Sequence, residues 1–500
     1  VAFFNRTNQR RSRVRKEAAN QFYDLTRLGN PDVIYSLALW LLFVLLSIAV
    51  LTYNPQGKTS YSQFGAVVVV VLLISLTLAL HISQYQKRLI KNRIRTIGLL
   101  ILIISMLICA KASVLLTGKL YWATATAVAA AQILTIAYNQ RFAMTMSLFY
   151  CVLASFAVGR TADLTVLLTM LAGALPYCFL LKEIRTRMRL LEVSLVAATS
   201  VFIMSASMIY LSSSQWGTSL LTSASSNAAV TLLVGVIIQG LLPIIERVFR
   251  IATSMTLLDY SDANQPLLKR LAMEAPGTYS HSLLIGSIAE AAAEAIGRNG
   301  LLCRVGAYYH DIGKINKPGY FVENQLGSIS WHKELSPAMS QLIIAGHIKD
   351  GMELAREYGL PAVLRQFVET HHGTTLVEYF YNEALKQHEL KDSPDVATPS
   401  EGEFRYPGPK PRTKEAAIVM LADAIEGAAR TLQEATPTKI EAVVHNMAMK
   451  RLLDGQFDEC DLSLRELSLI EASMSKILAA HHHGRIAYPT PPDLPAEQDQ

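Results

Sequence analysis

The sequence predicts an all-α protein: a polytopic bundle of transmembrane helices followed by an all-helical cytoplasmic domain. Three observations carry this. Apolar residues make up 51% of the 500-residue chain and are concentrated in its first half. The runs in that half each approach the ~20 residues a helix needs to cross the hydrocarbon core of a bilayer. The second half has ordinary globular composition, with caps and breakers at helical spacing and no stretch that alternates as a strand would.

Residues 1–32 form a basic segment carrying Arg10, Arg11, Arg13, Arg15 and Lys16, and the chain starts with Val rather than Met, as a processed or truncated form would. Residues 33–249 hold about eight spans: Val33 to Tyr53, Phe64 to Ile82, Ile97 to Leu116, Leu120 to Tyr138, Phe142 to Val158, Ala162 to Leu181, Leu190 to Leu211 and Ala228 to Phe249. The connections Gln84 to Arg95, Asn139 to Arg141 and Lys182 to Arg189 are basic, whereas Asn54 to Gln63 and Ser212 to Asn227 carry little charge. Basic loops mark the cytoplasmic side, so both termini are expected there. The same asymmetry accounts for the net charge of +6 without a nucleic-acid polymer as partner. Lys111 lies near a span end and can snorkel to the interface, and Pro176 and Pro243 read as kinks. The spans contain no ordered chain of acids, which argues against proton-coupled transport. None of the five cysteines forms a CxxC pair, so neither a thiolate zinc site nor a disulfide framework is expected.

Residues 250–277 turn amphipathic, with Leu257, Leu258, Leu267, Leu268 and Leu271 among polar residues, and read as coupling helices broken by Pro276-Gly277. Residues 278–484 form the all-helical domain. Ala289 to Ala295 is a strong helix former closed by Gly297, Ser336-Pro337 is a cap with a first-turn proline, and Pro361 opens a helix that Gly373 ends. Asp392 to Arg412 is a long Pro- and Gly-rich loop, and residues 485–500 are a Pro-rich acidic tail.

The chemistry centres on Tyr308-Tyr309-His310-Asp311-Ile312-Gly313-Lys314, where a His-Asp pair closes a helix. The pair alone is common by chance. With His281, His347, the doublet His371-His372 and Asp423 it makes a nitrogen and oxygen donor list long enough for two metal ions. Neutral imidazoles with carboxylates leave coordination positions open, unlike a closed thiolate cage. Asp311 has two oxygens and is the candidate bridge. His310, His281 and Asp423 then serve one ion, and His347, His371 and His372 the other. Such a pair can activate a water to hydroxide and take up charge on a phosphoryl oxygen, which is phosphoester hydrolysis. Lys314 is placed to meet a phosphate as a point charge, or is a solvated surface lysine. His332, His388, His445 and His481-His482-His483 fit no second cluster.

These residues resemble the HD phosphohydrolase superfamily, and more closely the bacterial seven-transmembrane HD phosphodiesterases of the PgpH type. The segments that carry the resemblance are Glu274 to Ser282, Val305 to Lys314, Glu323-Asn324-Gln325, Leu335-Ser336-Pro337, His347 to Gly351, His371-His372-Gly373, Phe404 to Pro411, Lys414 to Ala417 and Leu421-Ala422-Asp423. The resemblance implies a membrane-anchored enzyme of the bacterial inner (plasma) membrane whose cytoplasmic HD domain cleaves cyclic di-AMP to linear pApA. It implies two divalent ions, iron or manganese, on His281, His310, Asp311, His347, His371, His372 and Asp423. Asp311 and Lys314 are the expected catalytic residues, and Lys314, Arg405 and Tyr406 the expected substrate contacts, the last two on a loop from Phe404 to Lys410 taken as part of the substrate wall. The family usually carries a large extracytoplasmic domain after the first span, where this chain has only Asn54 to Gln63.

Two other classes stay open. The first is hydrolysis of cyclic di-GMP or another nucleotide, although no Gly-Tyr-Pro signature follows His371-His372-Gly373-Thr374-Thr375. The second is a non-catalytic nucleotide receptor, against which the complete ligand set argues. The sequence does not determine an oligomeric state.

Overall fold

In a bilayer no water can pair with the backbone, so an apolar run satisfies its amides internally and becomes a helix. The computed structural model describes residues 31–54, 60–85, 93–158, 164–182, 184–213, 217–325, 331–391, 398–432 and 434–483. The basic segment up to Asn30, the tail from residue 484 and the first part of the Asp392 to Arg412 loop lie outside the described residues. Contacts cluster into two units that divide between Met255 and Thr256.

The first unit contains α1 (Pro31–Thr52), α2 (Tyr61–Tyr85), α3 (Arg93–Thr117), α4 (Tyr121–Ala137), α5 (Gln140–Val158), α6 (Leu164–Leu180), α7 (Arg187–Ser213), α8 (Thr218–Gly240) and the short α9 (Leu242–Phe249). Six of these are long and apolar enough to cross a membrane, and α4 and α6 are shorter apolar helices. The chain is a multi-pass membrane protein. Helix α4 packs against α3, α5, α6, α8 and α9 and is buried along most of its length. Its run of Ala and Thr side chains lets neighbouring backbones come close, which is how helices gain contact where lipid is as apolar as leucine.

The structure corrects two expectations. The last long helix starts at Thr218, inside the stretch read as a loop from Ser212 to Asn227. Its polar residues are satisfied locally: the Thr222 hydroxyl donates to the Ser219 carbonyl (3.1 Å), that of Ser226 to Thr222 (2.8 Å), and the Asn227 amide to the Ser205 hydroxyl (2.8 Å). Pro243 does not kink a span but stands in the first turn of α9, where its missing N–H costs nothing. The helix breaks at Leu241, and α9 buries Leu242, Ile245 and Phe249 while ending in a left-handed Arg250 (φ 52°). Pro176 sits inside α6, and Lys111 is half-buried in the last two turns of α3.

The second unit begins with the helix pair α10 (Ser254–Ser261, whose first residues precede the division) and α11 (Pro266–Glu274). It continues with α12 (Pro276–Ala295), α13 (Gly300–Tyr309), α14 (Pro337–Glu357), α15 (Ala362–Thr370), α16 (Glu378–Lys391), α17 (Lys414–Ala429), α18 (Pro437–Leu453) and α19 (Leu464–His483). Pro276 both ends α11 and opens α12. Ser336 caps α14 by accepting from the Met339 amide, and Gly297 and Gly373 take positive φ beyond their helices. No strand occurs among the described residues, only an isolated bridge between Leu376 and Arg405. The core is formed by α12, α13, α15, α17, α18 and α19, with Ile285, Phe367, Leu421, Ile425 and Met474 fully buried.

One close approach positions the candidate donors His310, Asp311 and His347. The 3₁₀ segment Ile312–Asn316 lies against α14 so tightly that a Cβ on Gly313 would come within 1.9 Å of the His347 carbonyl oxygen and 2.5 Å of the Gly351 nitrogen. Backbone cannot yield as a flexible side chain does. Gly313→Ala is therefore expected to cost about 2–3 kcal/mol through overpacking. A melting point lowered by about 4–10 °C, together with reduced metal retention, is the expected result of differential scanning fluorimetry and elemental analysis.

Candidate metal centre

Five elements deliver the predicted donors. His281 lies in the second turn of α12, His310 caps the C-terminus of α13 with Asp311 next to it, and His347 is in the middle of α14. His371 and His372 follow the end of α15, and Asp423 is in the middle of α17. The structure brings all seven together. Asp311, His347, His371 and His372 form one group whose donor atoms lie within 4.8 Å of one another, and His281, His310, Asp311 and Asp423 form a second. Asp311 is the member they share.

Its two oxygens divide the work. Oδ1 lies 3.3 Å from His347 Nε2 and 3.4 Å from His371 Nε2, while Oδ2 lies 3.1 Å from His310 Nε2 and 3.7 Å from His281 Nε2. Asp423 Oδ1 is 3.2 Å from His281 Nε2, and its Oδ2 is 3.6 Å from His372 Nδ1.

A local backbone device fixes three of the rings. His310 Nδ1–H donates to the Ala307 carbonyl (2.6 Å), His347 Nδ1–H to Ile344, and His371 Nδ1–H to Val368 (3.0 Å), each three residues back. For His310 and His371 the acceptors are carbonyls of a last helical turn, which the helix leaves without an i+4 amide and which can take a side-chain donor. With Nδ1 committed as donor, each Nε2 presents a lone pair to the centre. His281 is held instead by the Glu426 carboxylate at Nδ1 (2.8 Å), and Glu426 in turn accepts from Arg430 (2.6 Å).

This donor set fits divalent cations. The Nε2 atoms of His347 and His371 face each other at 3.1 Å with no proton left to place between them. His310 Nε2 and Asp311 Oδ1 are sealed from solvent and make no hydrogen bond. Such groups are costly to bury unless something coordinates them.

Electrostatics agree. Burial works to raise the Asp311 carboxyl, yet His310 and Lys314 hold it well below the usual carboxylate range. Burial likewise opposes the Lys314 ammonium, but Asp311 and Glu323 hold it protonated, above its ordinary range. Burial lowers His347 to about 3 and His372 well below the usual imidazole value, so both are neutral, as ligands must be. At His281 burial is outweighed by Asp423 and Glu426, which lift it to about 9, and a proton takes the place a cation would hold.

Around the centre, Lys314 Nζ bridges Asp311 Oδ2 (2.8 Å) and Glu323 Oε1 (2.7 Å), and Glu323 also accepts from the Thr278 hydroxyl (3.1 Å). Tyr406 stacks on His372 with ring centroids 4.2 Å apart. A cleft of about 740 Å³ runs from His347, His372 and Lys314 past Tyr406 to Phe380 and Tyr379. Arg405 is not among its lining residues. Its guanidinium is taken up by Asp454 (3.1 Å), the Thr374 carbonyl (2.7 Å) and Glu401. Sequence reasoning assigned no role to Glu426 or Glu323. Glu426 was accessible, since it stands one turn after Asp423 on the same helix, but nothing local signals that Glu323 returns to Lys314.

Comparison with known proteins agrees with this architecture. Residues 61–253 match the family model described as a 7TM receptor with intracellular HD hydrolase, and residues 278–428 match the HD domain model. The cyclic-di-AMP phosphodiesterase PgpH of Bacillus subtilis is 35% identical over 472 residues, which cover 92% of this chain and 61% of the relative. The protein of the same name from Listeria monocytogenes is 43% identical over 254 residues, 51% of this chain and 34% of the relative. The chain thus spans less than two thirds of the length of either. The crystal structure of the L. monocytogenes PgpH HD domain in complex with cyclic-di-AMP is 44% identical, with a TM-score of 0.41, and covers 44% of this chain and 99% of that one. One family model thus falls on the helical bundle and the other on the domain that holds the donor cluster, so the chain matches in turn the two parts that the first description names, a seven-transmembrane region and an HD hydrolase.

Proposed function

We propose that the protein is a metal-dependent phosphodiesterase of a bacterial plasma membrane that cleaves cyclic di-AMP to linear pApA. The observation that carries this reading is the convergence of seven nitrogen and oxygen donors on two groups that share Asp311, at the inner end of a cleft large enough for a dinucleotide. The substrate is inferred from two relatives named as cyclic-di-AMP phosphodiesterases, one 35% identical over 472 residues and the other 43% identical over 254. The catalytic domain spans 278–484 and lies in the cytoplasm, joined to the spans of 33–249 by the helices of 250–277. The basic loops support that orientation.

His310, His281, Asp423 and Asp311 would hold one divalent ion, and His347, His371, His372 and Asp311 a second. Oxygen and imidazole donors without thiolate suit iron or manganese. Bound there, such ions would supply Lewis acidity toward a water and a phosphoryl oxygen, the chemistry of phosphodiester hydrolysis. The protein's part is preorganisation. The three backbone carbonyls and Glu426 keep the rings oriented, so the arrangement need not reorganise when substrate arrives. Lys314, kept charged by two carboxylates, presents its ammonium to the cleft beside the bridging Asp311. The ring of Tyr406, stacked on His372, closes the wall above the ligands.

The direct test uses the full chain in detergent, loaded anaerobically with iron or with manganese, and offered cyclic di-AMP and cyclic di-GMP. Appearance of pApA with little product from cyclic di-GMP is expected, with more than about a hundredfold loss for Asp311→Ala. Binding of cyclic di-AMP without cleavage under either metal would instead make the protein a nucleotide receptor.

The His281 proton supplies a second test. A metal ion must displace it, so apparent affinity at that site is expected to fall by about tenfold per pH unit below about pH 9 and to level off above it. Chelator competition measured from pH 6 to 10 reads this slope. In Glu426→Gln, which weakens the hold on the proton, the break moves to lower pH.

A further inference from the structure

Arg451, near the C-terminus of α18, is an unpaired cation beside the metal centre. Its Nε is sealed from solvent without a hydrogen bond, and its guanidinium makes no ion pair or hydrogen bond among the described residues. A guanidinium N–H sealed from water without an acceptor is costly, and such groups normally have a partner.

The carboxylates that could serve are engaged elsewhere. Asp454 takes Arg405 (3.1 Å) and the Gln456 amide (2.9 Å), Glu378 takes Lys450 (2.6 Å), and Asp423 belongs to the ligand set. Burial pulls the Arg451 guanidinium below its ordinary pKa range, against Asp423, Asp454, Glu378 and Tyr406, which all lie within its electrostatic reach without bonding to it.

The position is fixed rather than incidental. Immediately after Arg451 the chain is tied to both segments that flank the centre. The Gln456 side chain accepts from the Thr374 amide (3.0 Å), just past His371 and His372, and the Lys410 ammonium donates to the Gly455 carbonyl (2.9 Å) on the loop that carries Tyr406. Gly455 makes this turn in the left-handed region (φ 70°). The helix end is thus held beside the ligand doublet with a guanidinium that no described protein group pairs directly.

We propose that Arg451 binds a second phosphodiester of the substrate, the one that is not attacked at the metal pair. The inference rests on the reading above, because a cyclic dinucleotide brings two phosphates and the seven ligands serve only one. A planar guanidinium with its donors free matches a phosphate bidentately, and the anion would supply the partner that Asp454, Glu378 and Asp423 do not.

The test compares two substrates on the full, metal-loaded chain. Bis(p-nitrophenyl) phosphate is a diester with a single phosphate, whereas cyclic di-AMP has two. For Arg451→Gln the ratio of kcat/KM for cyclic di-AMP to that for the aryl diester is expected to fall about tenfold to a hundredfold, mainly through KM, with partial recovery in Arg451→Lys. The Ki of pApA against aryl diester hydrolysis should rise in parallel. An unchanged ratio with unchanged Ki, or equal losses on both substrates with loss of bound metal, would make Arg451 a structural residue and overturn the proposal. If the wild type cleaves the aryl diester but not cyclic di-AMP, the reading of the reaction fails on its own. The pApA inhibition constant then still decides the role of Arg451. Should Arg451→Gln not fold, as judged by melting, the Lys variant carries the same comparison.

Discussion

The buried Asp311 carboxylate is the constraint on which the second unit depends. An anion removed from water costs several kcal/mol unless charge surrounds it. Here four imidazoles and one ammonium approach its two oxygens between 2.8 and 3.7 Å. The ring nitrogens cannot all neutralise it, because His347 is driven to the neutral form by the same burial. Lys314 and a protonated His281 carry the compensation, and cations between the nitrogens would carry it better. Metal binding and folding of this domain therefore draw on the same free energy.

That constraint explains why the ligands stand where they do in the secondary structure. His310 and His371 come directly after helix ends, where unused carbonyls can hold Nδ1, and His347 uses the same three-residue offset within a helix. Asp311 leaves the helix for a 3₁₀ segment, which turns it into the centre and lets Gly313 press against α14. A side chain at Gly313 would separate His347 from the carboxylate it must share. The glycine of the His-Asp-Ile-Gly-Lys run is thus a packing requirement of the site itself.

Much of this was legible in the sequence, for identifiable reasons. The seven donors that converge could be read because coordination demands particular atoms, and few residue types supply them. The helical bundle could be read because a bilayer imposes length and apolarity. The misread end of the bundle was a stretch where polarity imitates a loop. Thr222 and Ser226 bond to carbonyls within α8, while Asn227 depends on Ser205, which lies in another helix. Pro243 was misplaced for a related reason, since the same residue that kinks a helix also starts one.

The arginines show where sequence reading stops. Arg405 lies on the loop that composition marks as functional, and Arg451 lies in an ordinary helix. In the folded chain their situations are reversed. Arg405 spends the donors of both terminal nitrogens on Asp454, Glu401 and the Thr374 carbonyl, and so ties its loop to the end of α18. Arg451, beside the same Asp454, is left without a partner because Arg405 and Gln456 already occupy that carboxylate. One pairing produces the other vacancy. Whether a cation is structural or available to an anion is therefore a property of its neighbours' commitments, and only the fold makes those commitments countable.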